Sequence, residues 1–128
     1  MANNYLGIDY GLKRIGLAIG SDETKIAVVF GTVHDIDDII KVIKEEKINV
    51  IVLGQPFSVA SAAHALPVNF QNFVEELTVK LPSDVVIHYE DERLSSKYAD
   101  SLAGDKKTKA NRDEIAAVSI LQGYFDKN

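Results

Sequence analysis

Three short apolar stretches, rich in β-branched residues, open the chain: Tyr5 to Asp9, Ile15 to Ile19 and Ile26 to Val33. They are divided by Gly11-Leu12-Lys13-Arg14 and Gly20-Ser21-Asp22-Glu23, both turn-forming, so the pattern predicts three strands joined by tight connections. Connections this short suit an antiparallel meander. Asp35 then stands as an N-cap before Ile36, Ile39, Ile40 and Ile43, whose i, i+3, i+4, i+7 spacing predicts one buried helix face. Asn49 to Leu53 is apolar after its first residue and ends at Gly54, as expected of a strand buried on both faces in the parallel part of a sheet.

A loop is expected from Gly54 to about Leu66, then a helix from Pro67 with Phe70, Phe73, Val74 and Leu77 turned inward. Val85 to Tyr89 predicts a fifth strand, with Glu90, Asp91, Glu92 and Arg93 at its C-terminal end. A short helix from Ser95 to Leu102, a basic loop and a last helix from Arg112 to Phe125 complete the reading. The order β-β-β-α-β-α-β-α-α predicts an α/β fold, a mixed five-stranded sheet flanked by helices. That is the arrangement of an RNase H-like domain, here expected as one domain over residues 1–128.

Composition narrows the chemistry. With 46% hydrophobic and 26% charged residues the chain reads as globular rather than disordered. The absence of cysteine excludes disulfides, thiolate zinc sites and a thiol nucleophile. His34, His64 and His88 are scattered and read as surface or helix-edge residues, with no HExxH spacing among them. Ser58 and Ser61 lack a His–Asp relay, which removes a serine-hydrolase reading. No apolar run approaches the roughly 18 residues of a membrane span, and the N-terminus lacks the marks of a secretory signal. A cytoplasmic location with no membrane partner is therefore expected.

Net charge is −5, the wrong sign for a nucleic-acid protein as a whole. Its distribution is uneven. From Lys97 to Arg112 five basic residues outweigh two acidic ones, a local +3. Four carboxylates stand at the ends of otherwise apolar elements: Asp9 after the first strand, Asp91 and Glu92 after the fifth, and Asp113 in the first turn of the last helix. Asp113 shares a helical stripe with Ala117, Ile120 and Tyr124, and Ala116 and Ala117 would let that helix approach the sheet closely. Taken singly, Asp9 also suits a turn, Asp113 a helix N-terminus and the 90–93 cluster a solvated strand end. Taken together, carboxylates gathered at one edge are costly unless protonated or bridged by a cation. Oxygen-only ligands favour Mg²⁺ or Mn²⁺, and two such ions are a common engine of phosphodiester hydrolysis. Strand parity alone leaves the choice between Asp91 and Glu92 open, because a shift of one residue flips the face.

Gly7-Ile8-Asp9-Tyr10-Gly11 followed by Lys13-Arg14-Ile15-Gly16 resembles the opening of the YqgF/RuvX family, whose members are described as Holliday junction resolvases and as pre-16S rRNA nucleases. The similarity runs on through Val52-Leu53-Gly54-Gln55-Pro56, Asp91-Glu92-Arg93-Leu94-Ser95-Ser96 and Asp113-Glu114-Ile115-Ala116-Ala117 to Tyr124, in the family's order and over essentially the whole chain. The resemblance implies an RNase H-like fold and a metal-dependent endonuclease that processes the 5′ end of pre-16S rRNA in the cytoplasm. It places the Mg²⁺ or Mn²⁺ ligands on Asp9, Glu92 and Asp113, with Asp91 the less favoured choice. Substrate contacts are expected from Lys13, Arg14, Arg93 and Ser95, and from the loop cations Lys106, Lys107, Lys109 and Arg112.

Three features depart from the family's pattern: Ser95 stands for the usual Thr, Phe57 to His64 replaces its usual Leu-Asn-x-Asp-Gly loop, and the basic loop before Asp113 is modest. Structured RNA or branched DNA is the expected partner, bound by a monomer or a homodimer. The competing readings are a Holliday junction resolvase and a non-cleaving nucleic-acid-binding factor on the same fold. A sugar-kinase-type ATPase is set aside, since no second Asp-Gly phosphate loop follows the first.

Overall fold

The computed structural model describes residues 2–11, 13–55, 68–91 and 112–127, with the side chains of 91 and 112–114 excepted. Strands β1 (Asn4–Asp9), β2 (Ile15–Ser21) and β3 (Val28–Val33) form the expected antiparallel meander. Helix α1 (Ile36–Glu45) crosses to β4 (Val50–Gln55), and α2 (Val68–Lys80) crosses to β5 (Val86–Asp91). Both later strands run parallel to β1, giving a mixed sheet in the order β3-β2-β1-β4-β5. Helix α3 (Arg112–Lys127) completes the described elements.

The alternation along β1 divides the molecule into two layers. Leu6 and Ile8 are fully buried beneath α1 and α2, in a core that also holds Leu17, Ile39, Ile51, Leu53, Phe70 and Leu77. The intervening residues turn to the opposite face, where Ala18 and Val52 meet Ala117, Ile120, Leu121 and Phe125 of α3. A strand buried this way on both sides needs apolar residues at every position, which is why β4 reads as an unbroken run. On α1, Ile36, Ile39, Val42 and Ile43 are buried and Ile40 only partly so, which turns the inner face slightly from the isoleucine stripe. On α2, Phe70, Phe73 and Leu77 are buried and Val74 lies at the margin.

Asp35 caps α1 as its position predicts, its carboxylate accepting from the Asp38 amide at 2.9 Å. Removing that acceptor orphans a backbone donor of the first turn. Asp35→Ala is expected to lower stability by about 1 kcal/mol, read as a lower urea midpoint with unchanged slope.

Strand β3 is shorter than its apolar run. Lys25 takes a positive φ of 53°, and the Ala27 amide donates to Gln122 Oε1 of α3 at 2.9 Å instead of to a strand. The ladder therefore starts at Val28, and a bulge opposite Leu17 and Ala18 leaves Phe30 unpaired between Val29 and Gly31.

At the end of the sheet away from the C-terminal tips of β1 and β4, Tyr5 packs against Tyr124 and Phe125. Burial and the neighbouring Asp22 carboxylate push its phenol from 10.0 up to about 12. The Tyr5 hydroxyl, donating to Asp22, in turn holds that carboxyl below its ordinary 3.8. The phenol binds its proton more tightly folded than unfolded, so its contribution is whole below pH 10.0 and lost as pH rises towards about 12. The carboxylate's contribution is whole above pH 3.8 and lost as pH falls below it. Ultraviolet titration of the tyrosines is expected to show a phenolate forming near 12 that is missing in Tyr5→Phe.

Candidate active site

Asp9 closes β1 on the α3 face and is 8% exposed. A carboxylate this buried at a strand's C-terminal tip needs compensation by hydrogen bonds or cations. Its surroundings leave room for the latter. Its partner on β2 is Gly16, and the ladder that sets Ile8 against Leu53 carries Gly54 of β4 to the same level. Neither flanking strand therefore presents a side chain beside the Asp9 carboxylate. β4 and β5 pair Gly54 with Glu90, so Asp9, Gly54 and Glu90 form one row across the sheet, roughly 10 Å from end to end.

The seating of α3 on β1 determines what stands near Asp9. Tyr5 meets Tyr124 and Phe125, and a Cβ on Gly7 would fall 2.8 Å from Leu121 Cβ and 2.9 Å from the Ala117 carbonyl oxygen. Two residues along a strand advance about 6.6 Å, and four residues of helix about 6 Å. Each two-residue step up β1 thus matches about one turn back along α3. From Gly7, which lies between Leu121 and the Ala117 carbonyl, the next step carries Asp9 to the stretch of α3 between Ala117 and Asp113, the second residue of the helix. Of the two alanines below it, Ala117 makes the close approach and is fully buried.

Glu90 is a buried carboxylate that the sequence did not single out, although its alternation with His88 marks it in hindsight. It is 5% exposed and faces α3, with Oε2 3.2 Å from where a Gly123 Cβ would lie. Lys127 Nζ is 2.9 Å from the same oxygen, at ion-pair distance but outside hydrogen-bond geometry, which leaves Oε2 without a hydrogen bond among the described groups. His88, exposed, rests its ring 5.5 Å from that of Tyr124.

The other expected site residues divide by location. Lys13 and Arg14 are exposed in the turn between β1 and β2, next to Asp9 in the chain. Asp91 is the last residue of β5, opposite Gln55, while Arg112 and Asp113 begin α3. Glu92, Arg93, Ser95, Lys106, Lys107 and Lys109 lie outside the described residues, as do the expected short helix and His64. Among the described side chains no three of His, Cys, Asp or Glu gather as a metal-ligand set, and Asp9 is the member of the expected triad that is described. No described helix is long and apolar enough to cross a membrane.

A buried carboxylate flanked by glycine on both neighbouring strands is chemically suited to a hard divalent cation, which takes oxygen ligands and retains water. Asp9 fits that role. The apolar cavity of about 450 Å³ by Asn4, Ile19, Ile26 and Ile48 lies at the opposite end of the sheet and has no part in it.

Comparison with known proteins places this geometry in context. The model of the RuvX family, described as Holliday junction resolvase, matches residues 3–127. A protein of Endomicrobium trichonymphae named "Putative pre-16S rRNA nuclease" is 32% identical, with 97% of this chain and 96% of that protein aligned. One of the same name from Sulfurihydrogenibium sp. is 35% identical over 95% of this chain and 89% of its own. Among solved structures, Thermus thermophilus RuvC in complex with a Holliday junction substrate superposes with a TM-score of 0.68 at 12% identity, covering 98% of this chain and 94% of RuvC. The fold is thus α/β and RNase H-like, as its element order predicts.

Proposed function

This chain belongs to the RuvX family, and we propose that it is a divalent-metal-dependent endonuclease that trims the 5′ end of pre-16S rRNA. The single observation that carries the reading is Asp9, buried at the tip of β1 between two glycine positions on the face that α3 covers. Asp9, Glu92 and Asp113 are the proposed ligands of Mg²⁺ or Mn²⁺. Counting the alternation on from His88 and Glu90, which face α3, favours Glu92 over Asp91 for the third position. When bound, such an ion supplies Lewis-acid stabilisation of charge on the scissile phosphate and makes water a better nucleophile.

The chain's own groups do the rest. Asp9, Glu92 and Asp113 would hold such ions, and through them the scissile phosphate. Lys13 and Arg14, exposed in the turn that follows Asp9, are the proposed contacts to the flanking backbone, together with Arg93, Ser95, Lys106, Lys107, Lys109 and Arg112. In-line attack by water breaks the bond to the 3′ oxygen, leaving a 5′ phosphate and a 3′ hydroxyl. The names given to its relatives favour rRNA over a junction as substrate, and the proposed site of action is accordingly the cytoplasm. RuvC, solved with a Holliday junction, supports the resolvase reading as the second choice.

The experiment offers a 5′-extended 16S rRNA fragment and a four-way DNA junction in parallel, with Mn²⁺ and with EDTA. Metal-dependent cleavage of the RNA alone is expected. Cleavage of the junction alone moves the assignment to a resolvase. RNA binding with no cleavage of either substrate moves it to a binding factor.

A further inference from the structure

A second cavity of about 310 Å³ opens at the same end of the sheet as Asp9 but on the α1–α2 side. Tyr10 and Gly11, which follow Asp9 directly, form one wall with Ile15, and His34 and Asp35 form another. Asn69, Asn72, Phe73 and Glu76 of α2 close it. The lining is unusual for a cleft next to a core. Tyr10, half-buried, packs its ring on that of the buried Phe73, centroids 4.5 Å apart and inclined by 31°, and both line the cleft. Asn69, Asn72 and Glu76, at i, i+3 and i+7, turn one polar stripe of α2 into it, and all three are exposed.

The chemistry of these walls selects a ligand. Two carboxylates, Asp35 and Glu76, make the cleft a poor place for a phosphate. Asp35 is already committed to capping α1, and Glu76 lies 3.4 Å from Lys80 Nζ. What remains is amide donors and acceptors, the His34 imidazole and an aromatic ring. Those are the groups that recognise a nucleobase. The volume is at the small end for a binding site, enough for one base and its sugar. His34 stands beside the turn of Lys13 and Arg14, with Nδ1 3.4 Å from the Lys13 carbonyl oxygen, and no lysine or arginine is among the described residues that line the cleft.

We infer that this cleft receives a single unpaired base of the substrate, about one nucleotide from the phosphate held at Asp9. The inference rests on the nuclease reading for its substrate and adds a specificity element to it. Bases within an A-form duplex are stacked and paired, so the cleft confines recognition to a single-stranded stretch or a splayed nucleotide flanking the cut.

The test measures equilibrium binding without cleavage, using Asp9→Asn in Ca²⁺ and a fluorescent RNA hairpin with an unpaired 5′ extension. Single abasic positions are scanned through the extension, and the scan is repeated with Asn69→Ala and Asn72→Ala added. One abasic position is expected to weaken binding about tenfold, and that penalty is expected to disappear in the alanine chain while the others persist. Because Asn69 and Asn72 are exposed, the alanine chain should melt at the same temperature. A DNA strand of the same sequence shows whether the cleft reads the base alone or its ribose too. A flat scan, or a penalty that survives in the alanine chain, overturns the base pocket. A nuclease assay of the same alanine substitutions with Asp9 intact separates the two claims, since the catalytic reading survives a flat scan as long as cleavage persists.

Discussion

Replacing Asp9 with Asn is expected to slow RNA cleavage by about 10³-fold, the equivalent of about 4 kcal/mol of transition-state stabilisation. Asn keeps the shape and the acceptor oxygen of the buried side chain but removes its charge. The two side chains have nearly the same volume, and the position opposite Asp9 on β2 is a glycine, so no packing across that pair is lost. The loss falls on the chemical step, because a metal-supporting carboxylate contributes most where negative charge builds on the phosphate. Single-turnover rates at saturating protein isolate that step, and circular dichroism checks that the fold survives. Near-wild-type cleavage by Asp9→Asn would remove Asp9 from the catalytic groups.

The second large effect is structural. Gly7→Val places a branched side chain where even a Cβ would fall 2.8 Å from Leu121 Cβ and 2.9 Å from the Ala117 carbonyl oxygen. The carbonyl belongs to the α3 backbone, so no side-chain rotation relieves the contact. Overpacking of this kind costs about 1–3 kcal/mol, and the valine methyls push towards the upper end. The only relief is to lift α3 from β1, which moves Asp113 away from the sheet. Cleavage is therefore expected to fall further than the stability loss explains, under conditions where the variant is still folded. A urea titration gives the first quantity and the single-turnover rate the second. A destabilised variant that cleaves normally would separate the α3 register from the chemistry.

Much of this arrangement was legible in the sequence because its main strands are buried on two faces. The uninterrupted run of β4 and the alternation around Leu6 and Ile8 mark their elements without outside help. β3 was overestimated because Ile26 and Ala27 look like strand, whereas the Ala27 amide is claimed by Gln122, 95 residues away. No local pattern encodes a partner at that distance. The bulge at Phe30 was hidden for the same reason, being a property of the pairing with β2 rather than of β3 alone.

The candidate site was legible to the extent that its residues end apolar elements. Asp9 does so visibly. Glu90 was overlooked because it stands among three other charged residues, and only the facing of β5 towards Gly123 and Lys127 distinguishes it as buried. Asn69, Asn72 and Glu76 read as the solvated side of α2, and the packing of α1 and the β1–β2 turn beside them is what makes a cleft of that stripe.

The central claim is that Asp9, Glu92 and Asp113 converge on one cation site. Mn²⁺ binding, followed by the loss of free-ion paramagnetic signal, tests it without any substrate. Asp9→Asn, Glu92→Gln and Asp113→Asn are each expected to weaken Mn²⁺ binding at least tenfold, while Asp91→Asn leaves it close to that of the unaltered chain. Equal binding by all four variants, or a loss confined to Asp91→Asn, would contradict the convergence of these three residues.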